Sequence, residues 1–105
     1  MRLSRSVIWS RAASRDLDGV LRYLAEDNPQ GASRVTTSIR LAGTKLGTAL
    51  TGRPGRVKAT YEKSVPGLPY VIAYALHGSD GGETVQILRV LHTSRDWSGS
   101  GWPTE

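Results

Sequence analysis

The chain has 105 residues, of which 38% are hydrophobic and 22% charged, with no cysteine and a formal net charge of +5. This length suits one globular domain with a single modest core, and the missing cysteines exclude disulfides, thiol catalysis and the common thiolate zinc sites. The positive charge favours nucleic acid or an acidic protein as partner over a membrane, because no apolar run approaches the roughly 20 residues of a membrane span.

The first half of the chain predicts a short strand followed by two helices. Residues 7–10 (VIWS) have the β-branched and aromatic side chains of a strand, and Ser10 can cap the helix that follows. Asn28 and Pro29 then suit the N-cap and the first position of a second helix, which is predicted to extend to about Leu50. The apolar stripe of the first helix repeats at spacings of three and four residues and consists of Ala13, Leu17, Val20, Leu21 and Leu24.

Two glycines, Gly43 and Gly47, lie inside the second predicted helix, four residues apart and so on one face. Each costs about 1 kcal/mol relative to alanine, so their presence needs a reason. One explanation is close backbone packing against the first helix or the sheet. The alternative is the floor of a groove that a partner's side chains enter.

The second half of the chain predicts a turn and three strands. TGRPGR (51–56) is predicted to be the turn. Residues 57–62 alternate between apolar and polar side chains, as in a half-exposed strand, and residues 70–76 are apolar throughout, as in a central strand. A glycine-rich loop at 77–83 leads to the last predicted strand, 84–92.

This order predicts an α+β fold of two layers. An N-terminal strand and an antiparallel helical hairpin come first, and a three-stranded antiparallel meander then completes the sheet. The helices should cover one face of the sheet and leave the other face partly open. Residues 1–97 are expected to form the single domain, followed by a weakly ordered tail at 98–105.

The segment ILRVLHTSRDW (87–97) carries the most distinctive polar residues. Strict alternation puts Arg89 on the same face as Ile87 and puts His92 on the opposite face. Because a buried guanidinium without a partner is too costly, Arg89 should face the uncovered side or pair with a carboxylate such as Glu62. Arg89 and His92 can then converge only if the strand bulges or bends.

Several basic residues near the predicted sheet could act on an anionic target. A basic surface that binds the target or RNA could be formed by Arg53, Arg56, Lys58 and Arg89. RNA cleavage by 2′-hydroxyl attack needs a base, an acid and cations around the phosphate. The candidates for these catalytic roles are Lys58, Arg89, His92 and Arg95. A solvated strand face and a capping histidine would explain the same residues without catalysis.

The chain between residues 7 and 97 resembles the RelE/ParE superfamily of bacterial type II toxin–antitoxin toxins. The resemblance rests on WSRAASRDLDGVLRYLAEDNPQGA, with its A-x-x-D-L-x-x-[VI]-x-x-Y-[LI] pattern, and on GRPGRVKATYE, GLPYVIAYAL and VQILRVLHTSRDW in this order. It implies a small basic toxin that a cognate antitoxin neutralises by wrapping its C-terminal segment across the helical hairpin and sheet. Operator DNA is then reached only through the antitoxin. The antitoxin contacts implied in this way are Leu17, Leu21, Ile39, Gly43 and Gly47.

Within this superfamily the resemblance implies one of two targets. RelE-like members cut mRNA on the ribosome and typically carry an arginine in a Y-R-[LI]-[VI]-Y strand, whereas ParE-like members poison DNA gyrase. Pro69 and Tyr70 stand where that Tyr-Arg pair would be, which favours the ParE-like function. Ribosome-dependent mRNA cleavage is the alternative, and an inactive or purely regulatory subunit is a third. No cofactor or metal is expected, and the cytoplasm is the expected location.

Overall fold

The computed structural model describes residues 5–78 and 83–94 of the chain. Its five strands form one sheet in the order β1-β5-β4-β3-β2, in which β1 runs parallel to β5 and all other neighbours are antiparallel. The predicted α+β class, with a helical hairpin and a three-stranded meander, is confirmed. In chain order the elements are β1 (Ser6–Trp9), α1 (Arg11–Ala25), α2 (Pro29–Lys45), β2 (Arg53–Pro54), β3 (Tyr61–Ser64), β4 (Tyr70–His77) and β5 (Thr84–His92).

Both helices begin at the residues that the sequence marks. The Ser10 side chain accepts a hydrogen bond from the Ala13 N–H at 3.0 Å, and the Asn28 side chain caps α2 in the same way. The predicted end of α2 near residue 50 is wrong, because the helix ends at Lys45. From there the backbone tightens into successive bonds between residues three apart, beginning with Leu46 N–H to the Gly43 carbonyl at 3.1 Å.

The main core lies between the helical hairpin and one face of the sheet. A smaller cluster on the opposite face contains Ala73 and Leu91, against which Val57 packs. The alternation of β4 separates the two, because Ile72 and Tyr74 belong to the main core and Ala73 does not. The buried members of the main core are Ala13, Leu17, Ile39, Leu46, Val65, Tyr70, Ile72, Tyr74, Val85, Ile87 and Val90.

Strand β5 contains a bulge. Ala73 pairs with Arg89, whereas the next residue of β4 pairs with Ile87, so Leu88 is an extra residue on β5. An extra residue reverses the alternation of the side chains that follow it. Val90 therefore lies in the main core together with Ile87, and the strict alternation expected for the whole strand is wrong beyond this point.

The strand predicted over residues 57–62 begins later than expected. Residues 57–60 form a turn, closed by a hydrogen bond of 3.1 Å from the Thr60 N–H to the Val57 carbonyl. Ala59 has a φ of 68°, a left-handed conformation that is uncommon outside glycine. The alternating pattern thus belongs to a turn that carries Lys58 at its surface, and a two-residue strand, β2, lies inside the segment predicted to be a turn.

The two glycines of α2 allow this helix to approach the sheet. A Cβ atom on Gly43 would lie 2.7 Å from both Ile87 Cδ1 and Trp9 Cζ2, and one on Gly47 would lie 2.7 Å from the Arg5 carbonyl oxygen. Close backbone packing is therefore the correct explanation of these glycines, and they do not form the floor of a groove. Neither α1 nor α2 is long and apolar enough to cross a membrane.

Candidate functional site: the groove between α1 and β5

A groove of about 610 Å³ opens between α1, the start of β4 and the end of β5. We refer to it as the α1–β5 groove. One part of its lining is apolar and includes Val20, Leu24, Val35 and Leu68, and Tyr23 also contributes. The other part is polar and consists of Arg15, Asp16, Arg89, His92 and Ser94. Such a groove can accept an amphipathic ligand.

Arg89 is held at this groove by Asp16 of α1. Arg89 Nε donates to Asp16 Oδ2 at 2.7 Å, and Arg89 Nη2 donates to Asp16 Oδ1 at 3.0 Å. Both side chains are largely buried, with exposures of 15% and 17%. Of the two alternatives expected for Arg89, the uncovered side of the sheet or a carboxylate partner, the structure has a carboxylate partner, which is Asp16 and not Glu62.

His92 lies at the end of β5 beside Tyr70, with the two rings edge to face and their centroids 5.2 Å apart. Its Nδ1 accepts a hydrogen bond from the Ser94 backbone N–H at 3.1 Å and lies 2.7 Å from the Ser94 hydroxyl oxygen. A ring nitrogen that accepts from an N–H carries no proton, so the neutral ring bears its proton on Nε2. In this arrangement Nδ1 of His92 is hydrogen-bonded to Ser94.

The structure brings Arg89 and His92 to the same groove. The bulge precedes Arg89, so the alternation between the two residues is regular: Arg89 pairs with Ala73 and His92 with Tyr70. By register they belong to opposite faces of the sheet. They meet because the Arg89 side chain extends to Asp16 on α1, and not because of a bend between Arg89 and His92.

Glu62 occupies the centre of the predicted basic surface. It is 3% exposed and accepts hydrogen bonds from the Arg56 backbone N–H at 2.9 Å and from Arg56 Nε at 2.8 Å, while Arg53 Nη2 lies 3.4 Å away. Burial raises the pKa of the Glu62 carboxyl, but the hydrogen bonds and charge of Arg56 and the charge of Arg53 outweigh it, so the pKa lies below its ordinary value. Arg56 thereby ties the loop before β3 to the sheet, and Arg53 joins β2 to the same carboxylate.

The predicted basic surface is accordingly divided by its ion pairs. Arg53 and Arg56 contact Glu62, and Arg89 contacts Asp16, so the three arginines do not present one surface of uncompensated charge. Lys58 is exposed in the turn at 57–60 and does not line the α1–β5 groove.

Of the three candidate catalytic residues that the structure describes, Arg89 and His92 line the same groove and Lys58 does not. Arg95 lies outside the described residues, as do the tail at 98–105 and the tryptophan before it. Lys58 lies in the turn at 57–60, away from the α1–β5 groove.

The antitoxin contacts implied by the family resemblance need correction. Leu17 and Ile39 are 3% and 0% exposed, and Gly43 and Gly47 are buried against β1 and β5. Only Leu21 remains exposed. The apolar stripe expected to meet a partner is the stripe that packs on the chain's own sheet.

Two residues of the groove were missed by reasoning from hydrophobic spacing. Asp16 is polar and was left out of the apolar stripe, and Tyr23 is the most exposed large apolar side chain among the described residues, at 74%. Both occupy fixed positions in the A-x-x-D-L-x-x-[VI]-x-x-Y-[LI] pattern. That pattern is the sequence signal that could have identified them.

Comparison with known proteins identifies the family. The sequence model described as the ParE toxin of the type II toxin–antitoxin system, parDE, matches residues 7–97. This chain belongs to the ParE toxin family. A protein of Sinorhizobium fredii named "Putative toxin Y4kP" is 34% identical to this ParE-family toxin over 94 residues, which cover 89% of this chain and 93% of that protein.

Solved structures share the fold of this ParE-family toxin. The chromosomal ParDE system from P. aeruginosa superposes with a TM-score of 0.78 at 22% identity, over 87% of this chain and 98% of that one. The RelBE2 toxin–antitoxin complex from Mycobacterium tuberculosis gives a TM-score of 0.58 at 26% identity, over 86% and 92% of the two chains. The expected membership of the RelE/ParE superfamily is confirmed, and the family match is to its ParE branch.

Proposed function

We propose that this ParE-family toxin arrests growth by binding and poisoning DNA gyrase, without cutting RNA, and that a cognate antitoxin neutralises it. We favour binding over cleavage because Arg89 and His92, the two candidate catalytic residues in the α1–β5 groove, already have hydrogen-bond partners within the toxin. The Arg89 guanidinium is already paired with Asp16, and His92 Nδ1 already accepts a hydrogen bond from Ser94. These contacts suit recognition of a partner better than proton transfer.

Cleavage of RNA by its own 2′-hydroxyl needs a group that takes the proton of that hydroxyl and a second group that protonates the leaving oxygen. His92 Nδ1 already accepts a hydrogen bond from the Ser94 N–H. The Asp16 carboxylate accepts hydrogen bonds from both Arg89 and the Val90 N–H. The two groups of the groove that could take this proton, the Asp16 carboxylate and the His92 imidazole, therefore already accept hydrogen bonds, which disfavours their action as the base. The strand segment LPYVIAYAL also lacks the arginine that RelE-like enzymes typically carry in the corresponding strand, which further weakens the cleavage mechanism.

Two features favour a protein as the partner that binds in this groove. The structural neighbours named above are toxin–antitoxin systems, and the net charge of +5 favours an acidic partner. Tyr23 and Leu21 place exposed apolar surface on α1, and Tyr23 itself lines the groove. We propose that an acidic and apolar segment of the antitoxin binds here, in place of the buried residues first expected, and that the pair is cytoplasmic.

The decisive experiment is expression of the toxin without antitoxin, with DNA breakage and mRNA integrity followed in the same cultures. Purified toxin, gyrase and plasmid provide the matching assay in vitro. We expect linearised plasmid in the presence of gyrase, double-strand breaks in cells and intact messages. Codon-phased cuts in translated mRNA without DNA damage would show instead that the toxin is a ribosome-dependent nuclease.

Substitution of His92 by glutamine separates the two mechanisms within one protein. Glutamine keeps an N–H donor but cannot take part in proton transfer, so His92→Gln should retain gyrase poisoning within about threefold. A general acid or base contributes roughly 10²–10⁴-fold to a rate. A loss of toxicity of that size in His92→Gln would therefore contradict the proposal. His77→Gln is the matched control, because His77 is exposed at the other end of the sheet beside Gln86.

A further inference from the structure

We infer that Asp16 is a positioning residue for the action of this toxin, because a single carboxylate both delivers Arg89 to the α1–β5 groove and closes the edge of β5. The inference rests on the proposed role of the groove in binding the target. Asp16 lines the groove beside Arg89, and both side chains are largely buried. It acts through the arginine and is not proposed to touch the target.

The first part of the argument concerns the edge of β5. The parallel pairing of β1 with β5 ends at Trp9 and Ile87. Beyond that point Ser10, the N-cap of α1, bonds to β5 in place of β1. It donates its N–H to the Ile87 carbonyl and its hydroxyl to the Leu88 carbonyl, both at 2.9 Å. The next outward-facing donor, the Val90 N–H, bonds to Asp16 Oδ2 at 3.0 Å.

The second part concerns the guanidinium. Two parallel N–H···O bonds from one arginine to one carboxylate fix the plane of the guanidinium as well as its position. Here the same oxygen, Asp16 Oδ2, accepts from Arg89 Nε and from the Val90 backbone N–H. The side chain of Arg89 is therefore fixed relative to the backbone of its own strand.

The third part concerns where Arg89 would go without this contact. Ala73 pairs with Arg89 on one side and with Glu62 on the other, so the three residues form one row across the sheet. Glu62 is two strands from Arg89, roughly 10 Å, on the face to which register assigns the arginine. Without the charge of Asp16, the Arg89 side chain can turn along that row toward Glu62 and leave the groove.

The test is a double-mutant cycle. Asp16→Asn keeps an oxygen for the Val90 N–H but removes the charge that fixes Arg89, and Arg89→Gln removes the guanidinium. The toxin concentration for half-maximal gyrase inhibition should rise about tenfold in each single variant, and by no more than about twofold further in the double variant than in Arg89→Gln alone. Asp18→Asn, an exposed carboxylate change on the same helix, should leave the concentration unchanged.

Two outcomes would overturn the inference. One is full potency in Asp16→Asn while Arg89→Gln loses potency. The other is a double variant whose loss is the product of the two single losses, because Asp16 would then act independently of Arg89. Thermal unfolding of each variant confirms that the comparison is made between folded proteins.

A second readout does not depend on the target. The Nε–H signal of Arg89 in a ¹⁵N-resolved NMR spectrum should be shifted and protected from exchange in the wild type and in Asp18→Asn. In Asp16→Asn it should leave its wild-type position and exchange faster. If the wild-type toxin fails to inhibit gyrase, the proposed function fails, and this signal still decides the inference: an unchanged Arg89 Nε–H in Asp16→Asn would overturn it.

Discussion

Glu62→Gln tests whether the ion pairs on the open face of the sheet stabilise the fold. The substitution preserves the shape of the side chain and one carbonyl oxygen, which can still accept from the Arg56 backbone N–H. It removes the negative charge that receives Arg56 Nε at 2.8 Å and Arg53 Nη2 at 3.4 Å. It also places an amide N–H₂ group against two guanidinium groups, which can only donate.

The expected loss follows from the exposure of the partners. Arg53 is 59% exposed, so its contact is screened by water and contributes little. Arg56 is 33% exposed and bonds to a carboxylate that is 4% exposed. A hydrogen bond to a charged group of this kind contributes about 1.5–3 kcal/mol. We therefore expect Glu62→Gln to lower the free energy of unfolding by about 2 kcal/mol at pH 7, which for a domain of this size lowers the melting temperature by about 10 °C.

The pH dependence has a definite sign. Because the pKa of Glu62 is lowered in the folded protein, its charge stabilises the fold above the ordinary pKa of 4.5. This contribution is lost as the pH falls through the folded-state pKa. The advantage of the wild type over Glu62→Gln should therefore be complete at pH 7 and should shrink below about pH 4.5.

Urea unfolding of the two proteins at a series of pH values measures this difference directly. Glu26→Gln, a change at an exposed position after α1, is the control and should alter stability by no more than about 0.5 kcal/mol. If the wild type and Glu62→Gln differed by the same amount at pH 7 and pH 3, the difference could not come from the charge of Glu62, and the reasoning would be refuted.

Two further predictions concern α1 and α2. Gly43→Ala should destabilise the fold by about 1–3 kcal/mol, because the added methyl group displaces its neighbours on the sheet. Gly19→Ala should stabilise the fold by about 1 kcal/mol, because nothing lies within 4 Å of the new Cβ. Equal changes of the melting temperature in the two variants would contradict the close packing of Gly43. Ser10→Ala should lower the free energy of unfolding by about 1–2 kcal/mol, because it removes the α1 cap and the hydrogen bond to the Leu88 carbonyl. Hydrogen exchange of the backbone amides at the start of α1 should become faster, and an unchanged exchange rate would argue against the cap.

The sequence predicted those parts of the fold that depend on neighbouring residues. Ser10, Asn28 and Pro29 mark helix starts because a cap acts within three positions of itself. The bulge at Leu88 carries no such mark, since Ile87 and Leu88 are both apolar and either face of the sheet suits them. The turn at 57–60 was mistaken for a strand because alternation of apolar and polar side chains also fits a turn.

The site depended on contacts between distant parts of the chain. Alternation and the cost of burying a charge indicated that Arg89 would need a carboxylate, but the choice of Asp16 over Glu62 depends on where β1 ends and α1 begins to cover β5. The expected antitoxin contacts failed for a related reason. An amphipathic stripe shows that residues such as Leu17 are buried, and it does not distinguish the chain's own sheet from a partner.

Because β5 lies between β1 and β4, its synthesis determines when the sheet of this toxin can be completed. Asp16 and Arg89 are 73 residues apart, and the edge of β5 that Asp16 closes is among the last parts of the sheet to be translated. At roughly 5–20 residues per second, several seconds separate the appearance of the helical hairpin from that of the strand that completes the groove. A nascent chain on the ribosome therefore has no α1–β5 groove until His92 has emerged. An antitoxin that recognises this groove would meet its toxin only after β5 has been translated.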